Sequence, residues 1–173
     1  EIRRFLVMIG SRRQWSSVVE MFSANQKNDR DKSAYLIQIV LACKNMSEKR
    51  TGALIVLEKK VSLEEFIQTG EPIDAKVSVA LLENIFFKNT PLHDGAVIIS
   101  NGRLQAASCI LPVSSSSDIP KKYGLRHRAA LGIAQQSDAV AVVVSEETGN
   151  IALAYDGKLH ERLSITDLER LLQ

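Results

Sequence analysis

The sequence predicts an α/β (α+β) fold in a single domain, with a twisted mixed β-sheet surrounded by helices. Short apolar runs rich in branched residues, typical of buried strands, recur along the chain, and runs with apolar residues at helical spacing separate them. An Asn-Gly pair at 101–102 joins two of the strand-like runs, and this dipeptide favours a hairpin turn. A hairpin makes neighbouring strands antiparallel, so the sheet is expected to be mixed.

Composition sets limits on the class of protein. The chain has 173 residues, of which 45% are hydrophobic and 24% charged, as in soluble globular domains. Its net charge of +2 does not indicate a duplex nucleic acid or an anionic membrane as the partner, so any anion binding must be local. Cys43 and Cys109 lack metal-ligand spacing and are expected to be buried, reduced thiols.

Residues 1–50 are predicted to form helices that lead into a globular core at 51–173. Apolar residues at 2, 5, 6 and 9 have helical spacing, and "WSSVVEMFSA" continues the stripe. The polar run "NQKNDRDKS" at 25–33 is predicted to be a loop. The next run, "AYLIQIVLACKNMSEK" at 34–49, predicts a helix buried on most sides.

The core alternates predicted strands and helices. "ALIVL" at 53–57 predicts a central strand, and Ser62 with Glu65 predicts a capping box for a short helix that ends at Gly70. A helix around 77–86 precedes the hairpin formed by "AVIIS" and "RLQAASC". The remaining elements are a loop, a helix from about Arg126, strands in "DAVAVVVSE" and "IALAYDG", and a capped amphipathic helix in "SITDLERLLQ".

Common nucleotide and metal motifs are missing from the sequence. It has no phosphate-binding loop of the G-x-x-x-x-G-K-[ST] type, no G-x-G-x-x-G and no zinc-like Cys/His spacing. Polar residues instead stand at the ends of apolar elements, where a shared sheet would bring them to one edge. They form three groups: His93-Asp94-Gly95, Arg126-His127-Arg128 and Ser145-Glu146-Glu147.

The Arg-His-Arg group favours anion binding. Two guanidiniums in the first turn of a helix, beside its free N–H groups, make a strong phosphate site. Cations there are otherwise unfavourable by up to about 1 kcal/mol, although a solvated basic helix start remains an alternative. Asp94 is able to bind a divalent metal or accept a proton, but Asp94-Gly95 is also ordinary turn chemistry, and His93 is either a metal ligand or a structural histidine.

Four segments, taken in order, resemble the diadenylate cyclase domain of bacteria: "LHDGAVII", "AASCILPVSSS", "GLRHRAALG" and "VVVSEETG". Its Asp-Gly-Ala and Arg-His-Arg signatures are matched at 94–96 and 126–128. The likeness runs from "TGALIV" through the C-terminal strand. The start of the chain resembles the subgroup whose cytoplasmic catalytic domain follows membrane-spanning helices. We therefore expect a cytoplasmic domain of a membrane-anchored protein.

The resemblance implies an enzyme that joins two ATP molecules into cyclic di-AMP and releases two pyrophosphates, using Mg²⁺ or Mn²⁺. It implies that Asp94 assists the attacking 3'-hydroxyl and binds the metal together with His93. It also implies a homodimer in which two protomers face each other, each with one ATP. The residues implied to contact the nucleotide are Gly95, Ala96, Leu111, Arg126, His127, Arg128, Ser145 and Glu146.

One residue departs from the family pattern, since many relatives carry Thr where this chain has Leu125. A catalytically silent nucleotide-binding or sensor domain would use the same pocket and stays an alternative. A nucleic-acid binder that holds a single strand with Lys121, Lys122 and the arginines is a weaker one. Aromatic residues make up only 5% of the chain, and only Tyr123 stands beside these basic residues.

Overall fold

The computed structural model describes residues 12–115, 117 and 119–173, with side chains described from Arg30 onward. The chain divides into two compact units, 1–34 and 35–173, and the described part of the first is helical. The second unit contains a seven-stranded sheet and the other helices. The elements are α1 Arg12–Glu48, β1 Ala53–Leu57, α2 Glu64–Ile67, β2 Glu71–Lys76, α3 Val79–Phe86, β3 Ala96–Ser100, β4 Arg103–Cys109, α4 Leu125–Gln136, β5 Val140–Val144, β6 Ile151–Tyr155, β7 Lys158–Leu163 and α5 Ile165–Leu172.

The sheet is mixed, as predicted, with strand order β2-β4-β3-β1-β5-β6-β7. Strands β1 and β3 are parallel, and every other neighbouring pair is antiparallel. The predicted hairpin joins β3 and β4, and both turn residues have positive φ angles, 50° at Asn101 and 74° at Gly102. Strand β1 occupies the centre of the sheet, as its uninterrupted apolar run predicts.

Two hydrophobic layers cover the two faces of the sheet. Because successive strand residues point to opposite faces, Ile55 packs with residues of α1, α3 and α5, while its neighbours Leu54 and Val56 pack with residues of α4. Strands β3 and β5 alternate in the same way. Helices therefore surround a buried central sheet, which confirms the predicted fold class.

The predicted loop at 25–33 is wrong, because α1 runs through it without a break. The run contains no Gly or Pro, and its Gln, Lys and Arg residues are good helix formers. The helix predicted at 34–49 is confirmed as the end of α1, but Ile37 and Leu41 lie on an exposed face. The stripe predicted at residues 2–9 lies outside the described residues.

The predicted capping box of α2 is also wrong. The residue that precedes this helix is Leu63, which supplies no side-chain cap, and the Leu63 amide instead donates to the Glu58 carboxylate at 2.8 Å. The capped helix at the C-terminus is confirmed, with a complete capping box between Ser164 and Asp167. Edge strands β2 and β7 were not predicted. Within the described residues, no helix combines the length and apolarity needed to span a membrane.

Candidate active site

The three polar groups identified from the sequence lie at one end of the sheet. Residues 93–95 lead into β3, residues 145–147 follow β5, and residues 126–128 begin α4. The strand register explains the convergence. Ala53 at the start of β1 pairs with Val144 at the end of β5, and Ala96 at the start of β3 pairs with Cys109 at the end of β4.

A cavity of about 790 Å³ opens at this end of the sheet. Its walls come from the ends of β1, β4, β5, β6 and β7, from the Asp94 loop and from the first turn of α4. One part of the wall is apolar and includes Leu54, Ile110, Leu111, Val113, Leu125 and Ala129. The other part is polar and includes Asp94, Arg126, His127, Ser145, Glu146, Glu147, Thr148, Asn150, Lys122, Glu161 and Arg162.

The Asp94 carboxylate projects into the solvent of the cavity, with 85% of its side chain exposed. Its Oδ1 lies 3.5 Å from Nε2 of His93. The Nδ1 atom of the same imidazole lies 2.6 Å from the Thr90 carbonyl oxygen, which only accepts hydrogen bonds, so Nδ1 carries a proton. When the ring is neutral, the Nε2 lone pair faces the carboxylate, and a metal or a proton would satisfy both atoms.

Gly95 occupies its position for a reason of packing. Its φ angle is +88°, and a Cβ atom there would lie 2.7 Å from the carbonyl oxygen of Cys109 and 2.8 Å from the carbonyl carbon of Ser108. Neither the angle nor the space admits a side chain. The turn interpretation thus accounts for Gly95. It does not account for Asp94, whose carboxylate has no backbone partner among the hydrogen bonds of the described residues.

Arg126 joins two loops of the site. Its Nη1 lies 3.2 Å from Oε2 of Glu146, and its Nη2 donates to the carbonyl oxygen of His93 at 3.5 Å. Only 20% of the Arg126 side chain is exposed, and its Nε is buried without a hydrogen-bond partner in the described structure. The guanidinium therefore connects the start of α4 to the Asp94 loop and to the β5–β6 turn.

The first turn of α4 presents backbone N–H groups, and no described side chain caps them. Gly124 precedes the helix and cannot supply a cap. His127 in this turn is buried, and burial lowers the pKa of its imidazole below the ordinary value, although the nearby Glu161 carboxylate opposes the shift. Its ring centroid lies 4.7 Å from that of Tyr123. The positive end of the α4 dipole and a buried imidazole thus form one wall of the cavity.

Side chains organise the turn between β5 and β6. The Ser145 hydroxyl accepts hydrogen bonds from the amides of Glu147 and Thr148, both at 3.3 Å. The Ser145 amide in turn donates to the carbonyl of Asn150 at 3.0 Å. The hydroxyl proton of Ser145 remains available to a ligand.

Not every residue implied by the resemblance lies on the cavity wall. Leu111 does, two residues after the end of β4. Ala96 is fully buried in β3, and Arg128 is half-buried one turn into α4, with its carbonyl accepting from Ser114 N at 3.0 Å. The described cavity wall includes neither of them.

Sequence reasoning missed part of the wall. Glu161 and Arg162 reach the cavity from edge strand β7. Lys122 pairs with Glu161 at 3.7 Å and lies 4.9 Å from the centre of the Tyr123 ring. Burial raises the pKa of the Tyr123 phenol, and the hydrogen bond that this phenol donates to the Glu161 carboxylate adds to the rise. A prediction of strand β7 would have placed Glu161 and Arg162 at the site. The run "KLHERL" does not predict a strand, because apolar and polar residues alternate only weakly in it.

Comparison with known proteins supports the sequence resemblance. The model of the family described as DisA bacterial checkpoint controller nucleotide-binding (DAC) matches residues 40–159. The chain is 42% identical to cyclic di-AMP synthase CdaA of Bacillus subtilis over 174 residues, which cover 100% of this chain and 61% of that protein. It is 42% identical to a diadenylate cyclase of Listeria monocytogenes over 83% of this chain and 53% of that protein.

Solved structures give the same result. The crystal structure of a DacA double mutant from Staphylococcus aureus has a TM-score of 0.81 and 45% identity, covering 83% of this chain and 95% of that one. A protein of Bacillus cereus, described as a hypothetical membrane spanning protein, has a TM-score of 0.71 and 42% identity. The chain spans about 61% of the length of the Bacillus subtilis relative. Because the family model matches residues 40–159 and the relatives are 42% to 45% identical, the chain belongs to the DisA bacterial checkpoint controller nucleotide-binding (DAC) family.

Proposed function

We propose that this domain is a diadenylate cyclase, which condenses two ATP molecules into cyclic di-AMP and releases two pyrophosphates. Curated relatives at 42% identity carry the names cyclic di-AMP synthase and diadenylate cyclase. The observation that carries the proposal is the shared cavity, where the exposed Asp94 carboxylate, the Arg126–Glu146 pair and the uncapped start of α4 meet. One carboxylate and one anion-binding helix end are the groups that transfer at phosphorus requires.

The triphosphate binds at the polar wall. The N–H groups of the first α4 turn, together with Arg126, His127 and the Ser145 hydroxyl, face the phosphate oxygens. Arg128 adds positive charge to the same turn, although it is not part of the described cavity wall. Attraction between these groups and the anionic phosphates supplies affinity and neutralises the charge that develops on the leaving pyrophosphate.

The adenine binds at the apolar wall. Leu111 stands there two residues after the end of β4, and Leu125 lines the same cavity at the start of α4. Leu125, with 75% of its surface exposed, would be covered by a bound nucleotide or by a second protomer. Gly95 and Ala96 support this region from below, since they fix the backbone of the Asp94 loop against β4.

Asp94 acts on the nucleophile. Its carboxylate orients the 3'-hydroxyl of one ATP and takes up the proton as the oxygen forms a bond to the α-phosphorus of the other ATP. The bond from the α-phosphorus to the bridging oxygen of pyrophosphate breaks at the same centre. Two such transfers close the ring. Because the Asp94 side chain is 85% exposed, its carboxylate is accessible to a substrate held by a facing protomer.

The His93–Asp94 pair fits a divalent cation such as Mg²⁺ or Mn²⁺. An imidazole nitrogen and a carboxylate oxygen 3.5 Å apart are two donors, and no group of three or more candidate ligands exists among the described residues. Phosphate oxygens of ATP and water would complete the coordination shell, as is common for such cations at phosphate sites. When bound, the cation polarises the phosphate and lowers the pKa of the hydroxyl.

The reaction requires two protomers, because each protomer holds one ATP and carries one Asp94, and the two bound ATP molecules must meet. A single protomer is expected to bind ATP without turnover.

We also propose that residues 51–173 form the catalytic core and that residues 1–50 form helices that precede it. The whole protein would then be anchored in the cell membrane through a segment preceding this chain, with the catalytic domain in the cytoplasm. The description of the Bacillus cereus neighbour as a hypothetical membrane spanning protein supports the proposed membrane anchor.

The substitution Asp94→Asn tests the proposed chemistry. It replaces the carboxylate by an amide of the same shape, so the fold and ATP binding are expected to persist. The rate of cyclic di-AMP formation should fall by at least about 10²-fold, since general-base assistance typically contributes this much. Calorimetric titration with ATP and mass spectrometry of the product measure the two effects separately.

Either of two results would contradict the assignment. Parent-like turnover of Asp94→Asn would remove Asp94 from the chemistry. ATP binding by the parent chain without any product, at every protein concentration and with both cations, would identify a silent nucleotide-binding domain instead. Glu83→Gln is the matched control, because Glu83 pairs with Lys49 away from the cavity and its loss should leave turnover unchanged.

A further inference from the structure

Gly52 lies directly beneath the Arg126–Glu146 ion pair. It precedes β1, and a Cβ atom at this position would lie 2.6 Å from Nη1 and 3.0 Å from Cζ of Arg126. The same atom would lie 3.1 Å from Cβ of Glu146. A methyl group at residue 52 would therefore press on both partners of the ion pair, and the guanidinium would have to move.

The backbone gives no other reason for a glycine here. Gly52 is not among the four glycines with positive φ in the described residues, so an alanine can adopt its conformation. The atom nearest to the added Cβ belongs to the end of a side chain rather than to the backbone. This differs from Gly95, where a Cβ would meet the backbone of β4.

We propose that Gly52 is a positioning residue for the reaction, because its missing side chain makes the seat in which the Arg126 guanidinium lies. This inference rests on the proposed function. From that seat Arg126 reaches the His93 carbonyl, one residue before Asp94, and the Glu146 carboxylate across the cavity. Moving the guanidinium therefore shifts both the loop that carries the catalytic carboxylate and the β5–β6 turn.

The space over Gly52 must fit the Arg126 guanidinium closely, because the guanidinium has little freedom to take another position. Its side chain is only 20% exposed, and the buried Nε–H makes no hydrogen bond in the described structure. Displacement cannot be compensated by new bonds to water on the buried side. A shift of about 1 Å in a site of this kind reduces catalysis by about 10²-fold.

The test is a double-mutant cycle of Gly52→Ala with Arg126→Lys. The lysine variant keeps a positive charge but lacks the Nη1 atom that the added methyl would meet, so it makes room for the alanine. In the parent, Gly52→Ala should lower kcat/KM for cyclic di-AMP formation by about 10²-fold, with the thermal midpoint changed by less than about 3 °C. In the Arg126→Lys background, the same change should cost less than about threefold.

Equal losses in the two backgrounds would overturn the proposal, because they would show that Gly52 acts independently of Arg126. A second readout does not depend on activity. The buried Arg126 Nε–H should give a slowly exchanging NMR signal, identified by its disappearance in Arg126→Lys, and Gly52→Ala should shift it. An unchanged signal would also overturn the proposal. A parent chain that makes no cyclic di-AMP would contradict the proposed function alone, and the NMR comparison would still decide the role of Gly52.

Discussion

Asp94 and Gly95 are neighbours in the chain, but different forces determine their positions. Gly95 is fixed by a positive φ angle and by contact with the backbone of β4. Asp94 gains nothing comparable from the fold, because its side chain is 85% exposed and its one ion-pair partner among the described residues is the imidazole of His93. An exposed carboxylate beside a second potential metal ligand, at the mouth of a cavity, is explained by a ligand better than by stability.

The sequence predicted which polar residues meet at this end of the sheet, but not the contacts that hold them there. His93, Asp94, Arg126 and Glu146 were identified from residue type and from the family resemblance. The seat at Gly52 was not, because it depends on the distance between residues more than 70 positions apart in the chain. No local pattern records a contact of this kind.

His127 makes protein stability dependent on pH. Burial lowers the pKa of its imidazole in the folded state; the nearby Glu161 and Glu147 carboxylates oppose the shift, and Arg126 adds to it. As the pH falls, the unfolded chain therefore takes up a proton before the folded chain does, and the stability contributed by the neutral ring is lost. From about pH 7 to about pH 5, the thermal midpoint of the parent should fall more steeply than that of His127→Gln.

Thermal unfolding followed by circular dichroism at several pH values measures this difference. The control is His160→Gln. His160 lies in edge strand β7 and stacks on Tyr155 of β6, so its replacement should leave the steep dependence in place. Parallel curves for the parent and His127→Gln would show that the buried imidazole does not titrate as described.

At the scale of elements, the central strands follow from the sequence and the edge strands do not. Strand β1 is entirely buried, and its apolar run is visible at once. Strand β2 contains Pro72 and Asp74, and only its antiparallel partner β4, with a bulge between Pro72 and Ala75, makes it a strand. Edge strands need one neighbour and tolerate polar residues, so their signal is weak.

The Ser78 side chain caps the N-terminus of helix α3, and its effect on stability can be measured. The Ser78 hydroxyl accepts a hydrogen bond from the amide of Leu81 at 3.2 Å, and Leu82, Ile85 and Phe86 of this helix are buried. Replacing Ser78 by alanine should lower the free energy of unfolding by about 1 kcal/mol. Urea denaturation measures the change.

Ser62→Ala is the matched control for that substitution. Ser62 accepts from the amide of Glu64 at 3.3 Å but does not cap α2, which follows Leu63. Its loss should cost less than about 0.5 kcal/mol. Equal costs for the two variants would contradict the assignment of the caps.

At the scale of the whole molecule, the fold brings the site together through long-range strand pairing. Residue composition and alternation predicted a mixed sheet surrounded by helices, and the structure has that architecture. The strand order was beyond sequence reasoning, because β1 lies between β3 and β5, and these pairings close loops of about 40 and 90 residues. That order places the ends of five strands, and the loop that leads into β3, around one cavity.

The proposed reaction also makes a prediction for two molecules. Each cavity is open to solvent and has exposed apolar residues on its wall, among them Ile110 and Leu125. Two copies facing each other would cover these residues and place each ATP against the other. Product formation should therefore depend on encounter between protomers.

The most direct test is to incubate the 173-residue chain with ATP and Mg²⁺ or Mn²⁺ over a range of protein concentrations, with mass spectrometry of the product. The proposed function predicts cyclic di-AMP, formed at a rate that rises more steeply than protein concentration until dimers saturate. A rate strictly proportional to concentration, down to concentrations at which the chain is monomeric by sedimentation, would contradict the requirement for two protomers. Failure to form cyclic di-AMP at any concentration would contradict the central claim.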